Sequence, residues 1–469
     1  MRWGRTAQIK LRYTYFMTKQ QRLVLLVSIL ASFVPFLDGS VITVALPAIT
    51  HDLGGGLVLQ QWAVDSYLIT LGALMLVAGS FSDLFGHKKI LISGLIGFGT
   101  ASVLCALAPT GEFLIIARGL QGVAGALLVP SSLALIISAF SGGGGEGKAV
   151  GTWTAWASIS YVIGPLLGGF LVDTLSWRYI FAINLLPILV TLWLMRSLKE
   201  SVTTHKNTQV DYVGATACIF GLGGTVYALI EQAHYGWASP YIYLPLVGGL
   251  IALIYFVWHE HRTPQPMLPL SLFKVRNFSV GNIATVSIYA GLSIATFIIS
   301  VFIQQVGGYT AVQAGLALLP ITIIMFFLSS QFGALAGKYG PRIFMAVGPL
   351  LAAIGFLSML RVDESAAYWS QLFPGVLIFG VGLSVTVAPL TSAIFISIST
   401  RQAGIGSAIN NAVSRIAGLI AIAALGVLTG PSLDLAGFRR GIIATAALLV
   451  AGGVISAIGI QNPHKDILE

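Results

Sequence analysis

The feature that most limits this chain is a succession of long apolar runs joined by short connections. Fourteen can be delimited, at roughly 23–48, 60–80, 89–109, 112–139, 149–171, 179–197, 212–231, 241–259, 278–304, 312–332, 342–360, 371–397, 404–428 and 440–460. A helix that crosses a bilayer needs about 20 mostly apolar residues, and each run supplies them. The runs are continuously apolar and do not alternate in ten-residue stretches, which argues against a β-barrel. Charge points the same way. Only 41 of 469 residues are Asp, Glu, Lys or Arg, which is 9%, against about 25% in an ordinary soluble domain. So few charges cannot coat a soluble surface of this size, and no gap between runs is long enough for a separate soluble domain. The expected fold class is an all-α polytopic membrane protein. Cys105 and Cys218 both fall in apolar runs and read as reduced packing residues, neither a disulfide nor a metal pair.

Lys and Arg set the orientation. An even number of crossings places both termini on one side. With the N-terminus inside, the inner segments hold nineteen basic residues and the outer segments four, Arg178, Arg361, Arg439 and Arg440. Both termini are therefore expected in the cytoplasm. The net charge of +9 is a signal of topology, not a nucleic-acid patch. The basic first 22 residues lead into a full-length run without a small-residue cleavage site, so the first helix is expected to be retained. Met17, in MTKQQR, is a second candidate start.

The chain also repeats itself. GSFSDLFGHK begins at Gly79 and GALAGKYGPR at Gly333, an offset of 254 that pairs Gly86 with Gly340 and Lys88 with Arg342. A fainter echo pairs GVAGALLVP, ending at Pro130, with VGLSVTVAP, ending at Pro389. Two related halves of six crossings follow, with crossings 7 and 8 left over as accessories. The division is a basic cytoplasmic N-terminus at 1–22, an N-terminal six-helix bundle at 23–197, cytoplasmic linkers with two accessory helices at 198–277, a C-terminal bundle at 278–460 and a cytoplasmic tail at 461–469. The halves differ in charge: Gly337 stands where the first repeat has Asp83, and Leu377 opposite Arg118.

Ionisable residues inside crossings are expensive and mark function. Asp38, Asp65 and Arg118 sit at broadly similar depth in crossings 1, 2 and 4. A partly desolvated carboxylate that faces a cavity near an Arg can bind and release a proton as the protein changes state. With Arg118 tied to one carboxylate, the other is left to attract lipophilic monocations. Arg415, in crossing 13, has no acidic neighbour in sequence and reads as bonded to helix carbonyls. The seven His lie at or outside the ends of crossings and form no metal spacing with Cys or carboxylates. GGGG at 142–145 lacks the Lys-Ser/Thr of a phosphate loop. Neither an enzyme, a metal, another cofactor nor nucleotide coupling is expected.

LDGSVITVALPAI (37–49), GSFSDLFGHKKIL (79–91), LIIARGLQGVAGA (114–126), GPLLGG (164–169), SWRYIFAINLLP (176–187), QWAVDSY (61–67) and GGYTAVQAGLALLP (307–320) follow one another as in the major facilitator superfamily. More narrowly, the chain resembles its fourteen-span drug–proton antiporters. The resemblance implies two six-helix bundles plus two accessory helices. It implies a conformational gate at Gly79, Asp83, Gly86 and Lys88, with Asp83 placed to meet the start of crossing 13 near Arg401. Crossing 5 is the exporter signature, carried by Gly151, Gly164, Pro165, Gly168 and Gly169, with Ser160 in place of one glycine. Phe81, Leu84 and His87 depart from the usual Leu, Arg and Arg of the loop motif.

The expected function is proton-coupled efflux of small amphipathic or hydrophobic compounds, giving drug resistance, from the bacterial cytoplasmic (inner) membrane. The alternative is export of a lipid or endogenous metabolite on the same fold. The expected partners are a small-molecule substrate, protons and the lipid bilayer. Nucleic acid is not expected, and no oligomer is required.

Overall fold

The computed structural model describes residues 17–140, 145–198, 210–398, 402–430 and 433–462. The segment before Met17, most of the GGGG connector, most of the first linker, Arg401 and the end of the tail lie outside the described residues.

The apolar runs form helices: α1 Lys19–Leu53, α2 Gly56–Phe85, α3 His87–Ala106, α4 Gly111–Phe140 and α5 Glu146–Thr174. Next come α6 Tyr179–Met195, α7 Tyr212–Tyr235, α8 Pro240–Arg262, α9 Arg276–Gln305, α10 Ala311–Tyr339 and α11 Arg342–Ser358. The last three are α12 Phe373–Ile396, α13 Ala403–Ala423 and α14 Leu435–Gly459. Among the described residues, eleven helices are long and apolar enough to cross a membrane, and α2, bent by 55° between Gly56–Met75 and Val77–Phe85, makes a twelfth. The apolar stretches Ile163–Thr174 of α5 and Tyr179–Met195 of α6 are shorter. The chain is a multi-pass membrane protein.

Local chemistry sets the helix ends. Thr18 and Thr310 each form a capping box with Gln21 and Gln313, and Asp211 and Asp434 cap α7 and α14; these groups satisfy N–H donors that no turn of helix can reach. Gly86 and Gly340 end α2 and α10 at φ 94° and 88°, in the left-handed region that favours glycine.

Helices α1–α6 pack on one another, and so do α9–α14. The pairings correspond: α2 on α4 matches α10 on α12, α3 on α4 matches α11 on α12, and α1 on α5 matches α9 on α13. The repeat extends to side chains. Lys88, at the start of α3, donates to Leu198 O at 2.5 Å beyond α6, and Arg342, at the start of α11, donates to Ala457 O at 2.7 Å near the end of α14. The two groups meet through α5 on α10 and α2 on α13, which are equivalent under the repeat, and through α1 on α9. Accessory helix α7 packs on α8 and lies against both α2 and α13.

Candidate functional site

Small residues let α5 join the two groups of helices. A Cβ on Gly164 would meet Ser40 Oγ, and one on Gly168 would lie 3.1 Å from Val41 O, so these two face α1. A Cβ on Gly169 would lie 2.6 Å from Val312 N, and one on Gly315 2.5 Å from Pro165 O, so Gly169 and Pro165 face α10. Such approaches are what small residues permit between membrane helices. Ser160, in place of a glycine, is buried, and its carbonyl accepts from Ser40 Oγ at 3.1 Å; close packing is kept. Gly151 is exposed and meets nothing.

Among the described residues, hydrogen bonds join the two groups at the end marked by Asp173. The Asp173 carboxylate accepts from Ala311 N at 3.0 Å and Val312 N at 2.9 Å, which are free donors at the start of α10. Gln61 Nε2 donates to Ile422 O at 2.6 Å and Ala423 O at 3.0 Å at the end of α13. Ser300 Oγ of α9 donates to Thr43 O of α1 at 3.2 Å. At the opposite end Asp83 has a side chain 46% exposed, 4.0 Å from His87 Nδ1. Its expected counterpart Arg401 lies outside the described residues. Gly79 meets nothing within 4 Å, and Lys88 is engaged within its own group, on Leu198.

Asp38 and Arg118 come together inside the first group. Arg118 Nη1 donates to Asp38 Oδ2 at 2.5 Å, and the two residues are 0% and 2% exposed. Asp38 Oδ1 accepts from Gln121 Nε2 at 2.9 Å and Asn184 Nδ2 at 3.0 Å. Arg118 also donates from Nε to Ala63 O at 2.8 Å and from Nη1 to Gln121 Oε1 at 2.7 Å, and it stacks 4.4 Å from the Tyr67 ring. Gln121 is tied further to Ser102 Oγ at 3.0 Å. A buried ion pair persists only when its remaining lone pairs and protons are satisfied, and this one is nearly so; Arg118 Nη2 alone lacks a partner. The cavity-facing carboxylate expected from the sequence is instead enclosed by α3, α4 and α6. Gln121 and Asn184 lie within the motifs LIIARGLQGVAGA and SWRYIFAINLLP. A search restricted to charged residues passes over such neutral amides.

Asp65 stands apart from this network. It is 0% exposed, and neither carboxylate oxygen has a hydrogen-bond partner. Its position on α2 falls between Gln61, bonded to α13, and Gly72, beside Ile416 of α13. It therefore lies where the two groups of helices meet. A buried carboxyl group without a hydrogen-bond partner is costly there.

Arg415 is half-buried, and its guanidinium lies 5.7 Å from the centroid of Phe36 on α1. The expected bonds to helix carbonyls are not formed among the described residues; the side chain reaches across to the other group.

Residues 28–422 match the family model described as Major Facilitator Superfamily. The chain is 31% identical over 410 residues to "Multidrug resistance protein Stp" of Mycobacterium tuberculosis, covering 87% of this chain and 76% of Stp. It is 32% identical over 415 residues to "Multidrug transporter protein MdtP" of Bacillus subtilis, covering 87% and 76%. It is 31% identical over 410 residues to "Methylenomycin A resistance protein" of Bacillus subtilis, covering 86% and 87%. Among solved structures, a D-xylose-proton symporter superposes with a TM-score of 0.68 over 95% of this chain and 99% of that one. At 15% identity, that likeness speaks for the fold alone.

Proposed function

The chain belongs to the major facilitator superfamily, and from that premise we propose that it is a proton-coupled antiporter. It exports small amphipathic or hydrophobic compounds across the bacterial cytoplasmic membrane by alternating access. The named relatives are multidrug and antibiotic resistance proteins, which supports efflux. We read fourteen crossings, with α5 and α6 included, and both termini in the cytoplasm from the bias of Lys and Arg. On that orientation the Asp173 end is the outer one. The contacts of Asp173, Gln61 and Ser300 then hold the outer side closed, and Asp83 lies on the cytoplasmic side. Transport alternates between this arrangement and one in which these contacts part and the cytoplasmic ends close.

The observation that carries the coupling is the Asp38 carboxylate, held by Arg118, Gln121 and Asn184 at membrane depth. Protonation of Asp38 weakens its hold on Arg118, and so links proton occupancy to the packing of α1, α4 and α6. Asp65, at the seam between α2 and α13, is the second proton carrier. Asp83 with Gly79, Gly86, Lys88 and Arg401 forms the cytoplasmic gate. The test is efflux of a fluorescent dye driven by a pH gradient in vesicles containing Asp38→Asn. The expected result is loss of gradient-driven efflux at normal expression. Undiminished efflux removes Asp38 from the coupling.

A further inference from the structure

From the sequence, Asp65 is expected to draw lipophilic monocations, but Asp65 is wholly buried at the seam, and one polar face of α13 bears on the substrate's charge instead. Ser407, Asn411, Ser414 and Arg415 recur at helical spacing on that helix. The other faces are occupied: Asn410 donates to Asn282 at 3.2 Å and Thr285 at 2.9 Å on α9, and Ile416 lies against Gly72 of α2. The polar face is not so engaged. Asn411 Nδ2 donates to Ser407 O at 3.0 Å and Ser414 Oγ to Asn411 O at 2.8 Å, both within the helix itself.

This face looks across the boundary between the two groups of helices, since Arg415 lies over Phe36 of α1. The Phe36 ring meets Trp153 of α5 edge-on, with centroids 6.5 Å apart. Trp153 is fixed by donation from Nε1 to Ser32 Oγ at 2.8 Å. Gly39, three residues after Phe36, is exposed, and a Cβ there would meet nothing within 4 Å. Phe36, Trp153 and Arg415 are each only partly buried.

The membrane acids do not balance this cation. Asp38 is paired with Arg118, Asp65 is wholly buried, Glu231 accepts from Trp62 Nε1 at 2.8 Å, and Asp173 is bound to the start of α10. Among the described residues Arg415 has no acidic partner within 4 Å. A half-buried guanidinium without an acidic partner can hold an anion through two parallel N–H donors. The Phe36 ring beside it, with Trp153 edge-on beyond, offers an aromatic surface to a flat ligand.

We propose that Arg415, Phe36 and Trp153 form the binding site for a planar aromatic substrate that carries a carboxylate. The inference rests on the efflux reading for its biological meaning. Its test is a binding measurement, which stands whether or not transport is coupled to protons.

The probes are 1-pyrenebutyrate, its neutral carboxamide and 1-pyrenemethylammonium, titrated into the purified full chain in nanodiscs with quenching of tryptophan emission as the signal. In the wild type the carboxylate binds about tenfold or more tightly than the amide, as a charged hydrogen bond allows, and the ammonium binds weakest. Arg415→Gln abolishes the preference for the carboxylate. Arg415→Lys keeps part of it, and Phe36→Leu weakens carboxylate and amide alike. Each variant is first shown to be monodisperse; if Arg415→Gln is not, Arg415→Lys and the wild-type ranking decide. Equal binding of carboxylate and amide by the wild type, tightest binding of the ammonium, no binding of the carboxylate, or a preference that survives Arg415→Gln overturns the proposal. Loss of dye efflux in Asp38→Asn bears only on the coupling.

Discussion

Asp173 of α5 accepts a hydrogen bond from Val312 N of α10 at 2.9 Å, and so one helix of the first group caps a helix of the second. Removing a capping carboxylate costs about 1 kcal/mol, up to about 2. Here that loss falls on only one of the alternating states, the one in which α5 and α10 meet. Asp173→Ala should therefore shift the equilibrium about five- to thirtyfold toward the state open at the Asp173 end. Spin labels on Glu112→Cys, in the exposed first turn of α4, and Glu364→Cys, in the exposed loop before α12, report this as a longer component in the distance distribution. An unchanged distribution means that the cap is incidental to the closed state.

The helices were largely legible in the sequence, because a crossing is written as some twenty consecutive apolar residues and the repeat at Gly79 and Gly333 is local; which helix packs on which was not, because it depends on contacts between distant segments. The glycines and Pro165 of α5 were legible as close-packing positions, whereas their division between α1 and α10 depends on which face each presents. Depth groups Asp38, Asp65 and Arg118 without deciding which carboxylate Arg118 holds; the structure pairs it with Asp38. The enclosure of that pair was not legible, because Gln121 and Asn184 are neutral and come from distant segments. Asp173 was missed because it sits at the end of its run, where a carboxylate normally meets water.

A second prediction follows from Asp65, whose two oxygens are buried without a partner. A buried unsatisfied polar group costs about 1–3 kcal/mol, and an apolar side chain of similar size removes that cost. Asp65→Leu should leave thermal stability equal to or above that of the wild type while reducing proton-driven efflux at least tenfold. Scanning calorimetry or a thermal-shift assay in detergent, run beside the efflux assay, separates the two effects. A lowered melting temperature assigns Asp65 a structural bond, and unchanged efflux excludes it from the proton path.

The base of the accessory pair α7–α8 carries a further test. Glu260 is 2% exposed; its Oε2 accepts from Leu268 N at 2.8 Å, while Oε1 has no donor. Asp211 Oδ2 likewise lacks a donor, and both oxygens crowd Gly214, where a Cβ would lie 2.6 Å from Asp211 Oδ2 and 2.7 Å from Glu260 Oε1. Neither oxygen has a donor, and His259 Nε2 lies 2.9 Å from the other Asp211 oxygen, Oδ1. Glu260→Gln supplies an N–H donor and should leave stability equal or higher, whereas Glu260→Ala strands Leu268 N and should lower it by about 1–3 kcal/mol. Denaturation monitored by tryptophan fluorescence compares them. Equal destabilisation by both variants shows that the carboxylate charge itself holds the pair.

Charge balance across a proton-coupled cycle ties the proposed coupling to Arg415. If one proton enters for each substrate molecule exported, a monoanion makes the cycle move two charges, a neutral compound one and a monocation none. The membrane potential acts on each charge with about 2.3 kcal/mol per 100 mV, so the anionic cycle gains about 4.6 kcal/mol per 100 mV. In right-side-out vesicles without a pH gradient, a potassium diffusion potential, negative inside, should therefore speed export of 1-pyrenebutyrate most. It should speed the carboxamide less and leave 1-pyrenemethylammonium unaffected. Arg415→Gln should lower the carboxylate rate to that of the amide or below, because the site then loses the anion that the cycle needs. A response to the potential that is largest for the ammonium, or the same for all three compounds, contradicts this assignment of charge to the cycle.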